Sequence, residues 1–158
     1  REEQNQTMPK FEPRDPDFDT RVRDSFNRQN VMRTMGITIA ELTPGHIVLE
    51  MPHDDALTQQ HGFLHAGVVA TALDSACGYA GFSLMPAEAA VLAAEFKINV
   101  VNPADGARFR FVADVLKPGK TLTICEARAY AVKGGEEKLV ATMTATLMAM
   151  VGRTGVAG

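Results

Sequence analysis

The last third of the chain alternates between apolar and polar positions. In "RFRFVADVL", Phe109, Phe111, Ala113 and Val115 take one face, and Arg108, Arg110 and Asp114 take the other. That period of two is the mark of a half-buried strand. "VLAAEFKINVV" precedes it, and "TLTICEARAYAV" and "LVATMTATLMAM" follow. In the last of these, Leu139, Ala141, Met143, Ala145 and Leu147 line one face, with Thr142, Thr144 and Thr146 opposite. Turn signals separate the strands at Asn102-Pro103, Asp105-Gly106, Pro118-Gly119 and Gly134-Gly135. Pro118-Gly119 suits the centre of a type II turn.

The first half reads differently. "DPDFDTRVRDSFNRQNVMRTMG" places Phe18, Val22, Phe26 and Val31 or Met32 at roughly helical spacing. Asp17 can cap the start of one helix there, and Gly36 ends it. "ITIAEL", "TPG" and "HIVLEMP" read as strand, turn and strand. After the loop "HDDALTQQHGFLH", an Ala- and Gly-rich helix is predicted from Ala66 to Leu84, with Pro86 just beyond. The order is thus helix, hairpin, long central helix, then four strands. Short connections imply an antiparallel sheet. The chain is predicted to be α+β, its sheet curled around one buried helix whose small residues allow close approach. One domain is expected over residues 17–151. A flexible N-terminal arm over residues 1–16 and a flexible tail over 152–158 flank it.

Composition narrows the function. The chain has 158 residues and a net charge of −3, with a pI near 5.8. A nucleic acid is excluded as the main partner, because phosphate-backbone binding needs a strong basic patch. Cys77 and Cys125 lie in apolar contexts without metal-ligand spacing. They read as free thiols of a reducing compartment, so a cytoplasmic location is expected. The opening "REEQNQTMPK" has no apolar leader segment. The run from Ala66 to Pro86 nears membrane-spanning length, but Asp74 and its glycines favour a packed interior helix. No membrane association is expected. His53, His61 and His65 with Asp54 and Asp55 fit no zinc pattern, and no G-x-S-x-G elbow occurs. No metal and no cofactor are expected.

Asp74 is the residue that does not fit. A carboxylate within an apolar helix costs free energy unless it is paired, protonated or used. It could cap a neighbouring element, be a hydrogen-bonded structural Asp, or be a catalytic base or nucleophile. Around it the candidate chemistry is Gln59 in the preceding loop, His65 at the helix entrance, and Ala66 and Gly67 in the first turn. First-turn N–H groups lack intrahelical partners and sit at the positive end of the helix dipole. They can hold a carbonyl oxygen that becomes an oxyanion. Ala66 and Asp74 are about 12 Å apart along a helix. One carboxylate cannot reach a carbonyl bound at the start of its own helix. If both serve one substrate, two helices must meet antiparallel, which predicts a homodimer with two equal composite sites.

"LHAGVVATALDSA" resembles the H-G-G-x6-D pattern of PaaI-like hotdog-fold acyl-CoA thioesterases, here as H-A-G-x6-D. "EFKINVVNPA", "ADVLKPGKTLTICEARAYA" and "LVATMTATLMAM" extend the resemblance over roughly residues 20–150. It implies a sheet wrapped around a central helix, in homodimers or dimers of dimers (homotetramers) with active sites between subunits. By this resemblance Asp74 acts as general base on water or as nucleophile on the thioester carbonyl. The Ala66 or Gly67 N–H polarises that carbonyl, Gln59 orients the water or the thioester, and His65 supports the helix start. Lys117, Lys120 and Arg110 would meet the phosphates of coenzyme A, which enters only as part of an acyl-CoA substrate. Phe63, Leu64 and Phe82 would line the acyl pocket and favour medium-chain or aryl groups. Two departures stand out: Ala66 replaces the first Gly of the pair, and Gln59 replaces an Asn. The alternative function is a non-catalytic acyl-CoA binding or sensing module on the same fold. A hotdog hydratase would want a paired Asp and His on its helix, which this sequence does not show.

Overall fold

The computed structural model describes residues 10–158. Of the arm expected over residues 1–16, residues 1–9 lie outside the described residues. The elements run α1 (Phe18–Arg28), α2 (Asn30–Met35), β1 (Thr38–Thr43), β2 (His46–Pro52), a 3₁₀ turn (Asp55–Leu57), α3 (Ala66–Phe82), β3 (Ala89–Val100), β4 (Arg108–Lys117), β5 (Leu122–Lys133) and β6 (Glu136–Val151).

The single N-terminal helix expected from the sequence is two. Gln29 breaks it with φ −80° and ψ 103°. The break has a reason in helical phase. An unbroken helix would place Arg33 on the face of Val22 and Phe26, and turn Met35 to the far side. The break resets the phase, so that Val22 and Phe26 of α1 and Met32 and Met35 of α2 are all buried. Gly36 ends α2 in the left-handed conformation, as expected. Asp17 does not cap α1 with its side chain. Asp15 does the local work instead, accepting the Asp17 N–H at 2.9 Å and Arg21 Nε at 2.7 Å. Phe11 packs against the core and Asp15 is buried, so residues 10–16 include anchored positions.

All six strands form one antiparallel sheet in the order β1-β2-β4-β5-β6-β3. The alternation read in β4 holds: Phe109, Phe111, Ala113 and Val115 are buried, and their neighbours face out. The β4–β5 turn is not type II, since Gly119 is not among the residues with positive φ. Its glycine is required by a close approach: a Cβ there would lie 1.9 Å from the Leu122 carbonyl oxygen.

The inner face of the sheet wraps α3, which is the hotdog arrangement the resemblance implied. Ala72, Ala76 and Ala80, four residues apart, are fully buried, and their small size lets the strands close on the helix. The helix stops at Phe82 rather than Leu84. Arg21 takes up carbonyls at this end, donating to Phe82 O at 3.2 Å and Met85 O at 2.8 Å, with its guanidinium 4.2 Å above the Phe82 ring. No helix of the described residues is long and apolar enough to cross a membrane.

Candidate active site

One stripe of α3 escapes the sheet. Gly67, Ala70, Thr71, Asp74 and Gly78 are exposed or half-buried, whereas the remainder of the helix beyond its first turn is almost wholly buried. Their spacing of three and four places them on one face. Asp74 therefore does not sit among the packed apolar residues. It stands in the middle of an open, small-residue stripe. Partial burial raises its carboxyl above its ordinary value of 3.8, with no ion pair or hydrogen bond among the described residues to offset the shift.

The start of α3 is built by His65. Its backbone is extended, with φ −61° and ψ 138°, and its Nδ1 accepts the Gly67 N–H at 2.9 Å. The ring is thus neutral at that nitrogen and carries its proton on Nε2. A side chain at residue 67 would crowd the ring and require it to shift, because a Cβ would lie 3.1 Å from Nδ1. The H-x-G spacing is explained by this contact: the ring folds back over a residue that has no Cβ. The contact also removes one of the two expected oxyanion donors. The Gly67 N–H is used by His65, and the Val68 N–H by the His65 carbonyl at 2.9 Å. Among the described residues no group accepts from the Ala66 N–H. Ala66 is the donor left free at the positive end of the helix.

That donor borders a cavity of about 520 Å³ lined by Gln59, Phe63, Leu64, Val69, Val100 and Asn102 among others. Gln59 is brought here as expected. Its side-chain oxygen accepts the His61 N–H, which leaves the amide nitrogen for a ligand. Asn102 closes the far wall, tied by its Nδ2 to the Leu139 carbonyl at 2.8 Å. The sequence showed Asn102-Pro103 as a turn and as the strand end within the family resemblance, not as a cavity wall.

Asp74 lines a different cavity, of about 250 Å³, with Ser25, Gln29, Ser75 and Tyr79. Ala157 and Gly158 form part of its wall. The sequence missed this lining because Ser25 and Gln29 come from the N-terminal helices. The polar residue at a helix break was the available signal.

The expected acyl-pocket residues divide. Phe63 and Leu64 line the cavity at the helix start. Phe82 is fully buried beneath Arg21 and lines neither cavity, so it is a core residue. The expected cations divide too. Lys117 and Lys120 are exposed at the β4–β5 turn. Arg110 lies on the outer face of the sheet, its guanidinium engaged by Glu137 and Glu50. It is seven residues up β4 from Lys117, roughly 23 Å, so the structure does not join it to the lysine pair. His53 pairs with Asp55 at 2.9 Å, and among the described residues no group of three His, Cys, Asp or Glu side chains is placed to hold a metal ion. The thiols are unsuited to nucleophilic work: burial pushes Cys125 up to about 12 and Cys77 higher still.

Known proteins share this fold and part of this sequence. The family model described as "Thioesterase superfamily" matches residues 61–138, which contain the helix start, Asp74 and the lysine turn. A crystal structure of a thioesterase family protein from Silicibacter pomeroyi is 64% identical, with a TM-score of 0.85 over 85% of this chain and 99% of that one. A provisionally named esterase of Saccharolobus solfataricus is 31% identical over 109 residues, 69% of this chain and 72% of the relative. The PaaI protein of E. coli, from the phenylacetic acid degradation operon, has the same fold: TM-score 0.76 at 19% identity, over 89% of this chain and 95% of that one. These relatives support thioester hydrolysis as the general activity. On that identity and coverage, the chain belongs to the thioesterase superfamily.

Proposed function

We propose that the protein hydrolyses acyl-CoA thioesters to the free acid and coenzyme A, in a homodimer whose sites each combine two chains. One observation carries this reading: Asp74 and the free Ala66 N–H lie on one helix, α3, but open on separate cavities, about 12 Å apart along the helix. Each cavity holds half of what the reaction needs.

The edge of the sheet supports the pairing. β3 is a 12-residue edge strand. Phe96 and Val100 pair with the buried Ala145 and Ala141, so they point to the helix side of the sheet, yet they are 44% and 50% exposed. Although Glu95, Lys97 and a register shift at Ala93/Glu95 interrupt it, a long edge with such exposed apolar side chains can receive a second strand. An isologous β3–β3 contact would extend the sheet and bring two α3 stripes together, antiparallel.

In such a site the Ala66 N–H of one chain polarises the thioester carbonyl. Asp74 of the other attacks it or draws a proton from water, and Gln59 orients the reacting oxygen. His65 holds the helix start and takes no proton. Lys117 and Lys120 are the cations proposed for the coenzyme A phosphates. The acyl class proposed, medium-chain or aryl, rests on Phe63 and Leu64 now that Phe82 is a core residue. An acyl-CoA panel with a thiol reagent tests the reading. Wild type should release CoA, and Asp74→Asn should lower kcat/KM by about 10²- to 10⁴-fold. Tight binding with no release by wild type would instead mark a binding or sensing module.

A further inference from the structure

Residues 152–158 return over the cavity beside Asp74. β6 ends at Val151, which pairs with Ala89 at the start of β3. The chain then turns at Gly152 and Gly155, with φ 68° and 83°. It comes back across the gap between β3 and α1. There Ala157 and Gly158 complete the wall that Ser25, Asp74, Tyr79 and Val91 begin.

Two contacts hold the segment in place. Arg28 Nη2, from the last turn of α1, donates to the Gly158 carbonyl. Gly158 also presses on the body of the fold. A Cβ there would lie 2.6 Å from the Ala89 carbonyl oxygen and 2.7 Å from Phe82 Cζ, so any other residue would have to lift away. The hold is light. Residues 152–155 and Ala157 are exposed, and Val156 and Gly158 are only half-buried. A segment with so little buried surface and so few hydrogen bonds belongs to the low-stability end of a fold and opens first. Such a segment over a carboxylate that the reaction must reach is placed as a gate.

We propose that residues 152–158 form an autoinhibitory strap, latched by Arg28, which covers the Asp74 cavity and must lift before Asp74 meets a thioester held at the partner's helix start. The inference rests on the Asp74-centred reading above and adds control of access to that carboxylate. The closed strap and the substrate exclude each other, so the strap is a competitor built into the chain. The apparent affinity for substrate is reduced by the fraction of molecules that stand open. Saturating substrate displaces every strap, so kcat keeps its value.

Three variants loosen the strap without touching the residues of the site: deletion of residues 152–158, Arg28→Gln and Gly158→Leu. Each should lower KM for an acyl-CoA by about three- to tenfold with kcat unchanged. A lower kcat in all three, at an unchanged melting temperature, would make the segment part of the site and overturn autoinhibition. If the deletion fails to fold, the two single substitutions decide. Access is also read without turnover, through Asp74→Cys. The thiol it introduces should react with N-ethylmaleimide faster by the same factor when Arg28→Gln or Gly158→Leu is added. Cys77 and Cys125 are buried and should stay unmodified. Faster alkylation in a protein whose wild type hydrolyses no acyl-CoA keeps the strap and overturns the hydrolase reading. Hydrolysis with both KM and the alkylation rate unchanged keeps the hydrolase and overturns the strap.

Discussion

His65 Nδ1 accepts the Gly67 N–H at 2.9 Å, and this one bond assigns roles to three residues. It makes His65 a cap, gives Gly67 its reason to lack a Cβ, and leaves Ala66 as the free donor. If His65 is a cap and not a proton carrier, another good capping residue can replace it. His65→Ala should lose about 1 kcal/mol of stability, or roughly 2–4 °C in melting temperature for a chain of this size. His65→Asn should recover most of the stability and most of the hydrolytic rate, read by thermal denaturation and CoA release. Stability restored with the rate still abolished would give His65 a chemical role.

Asp74 carries a carboxyl raised above 3.8 by partial burial alone. Between 3.8 and the raised value the folded protein binds more protons than the unfolded chain, so stability falls as pH rises through that window. Above it the ionised carboxylate opposes folding, and below 3.8 the effect is gone. Asp74→Asn should therefore be more stable than wild type near neutral pH, with the gain vanishing in acid below about 3.8. Hydrolysis by wild type should climb as pH rises through the raised value and then level off. Urea denaturation at several pH values checks the first claim, and a pH–rate profile the second. A destabilised Asp74→Asn at neutral pH would mean that Asp74 is structural.

Arg21 ties α1 to the end of α3. Its pair with Asp15 is nearly buried, at 14% and 8% side-chain exposure, whereas Arg23–Asp19 is 45% and 50% exposed. Removing one partner of a buried pair strands the other, so Arg21→Ala should cost about 3 kcal/mol. Arg23→Ala should cost about 0.3–0.5 kcal/mol. Urea midpoints compared at equal m-values read both, and equal losses would contradict the burial argument.

Phe96→Lys places a charge on the open inner side of the β3 edge, a device that natural edges use to refuse partners. Sedimentation should show monomers, and hydrolysis should fall with the dimer. A variant that remains dimeric, or an active monomer, would remove β3 from the interface.

The strands were legible because half-buried strands alternate, and Asp74 was legible because it is the only charge in its run. The outward face of α3 was not, because that helix is apolar on nearly every side and its own sequence carries no phase. The wrapping of the sheet sets the phase, which is why Phe82 proved to be core. Contacts set by topology were also hidden. Ser75 meets Gln29 across 46 positions, and Arg110 meets Glu137 and Glu50 from separate strands. Strand order was hidden too: β3 precedes β4 in the chain, yet it lies at the far edge beside β6. The break at Gln29 could have been read, since Arg33 falls on the apolar face of any unbroken helix.

The composite site is tested most directly by mixing two defective proteins. Asp74→Asn removes the carboxylate. Ala66→Pro removes only the N–H, because proline is accepted at the first helical position and His65, at φ −61° and ψ 138°, already has the extended backbone that must precede it. Each variant alone should be inactive. After subunit exchange at equal amounts, each hybrid dimer contains one intact site, from the Ala66 N–H of one chain and Asp74 of the other. The mixture should recover about a quarter of wild-type activity. Hybrid dimers shown to form by native mass spectrometry, yet inactive, would contradict a site built from two chains.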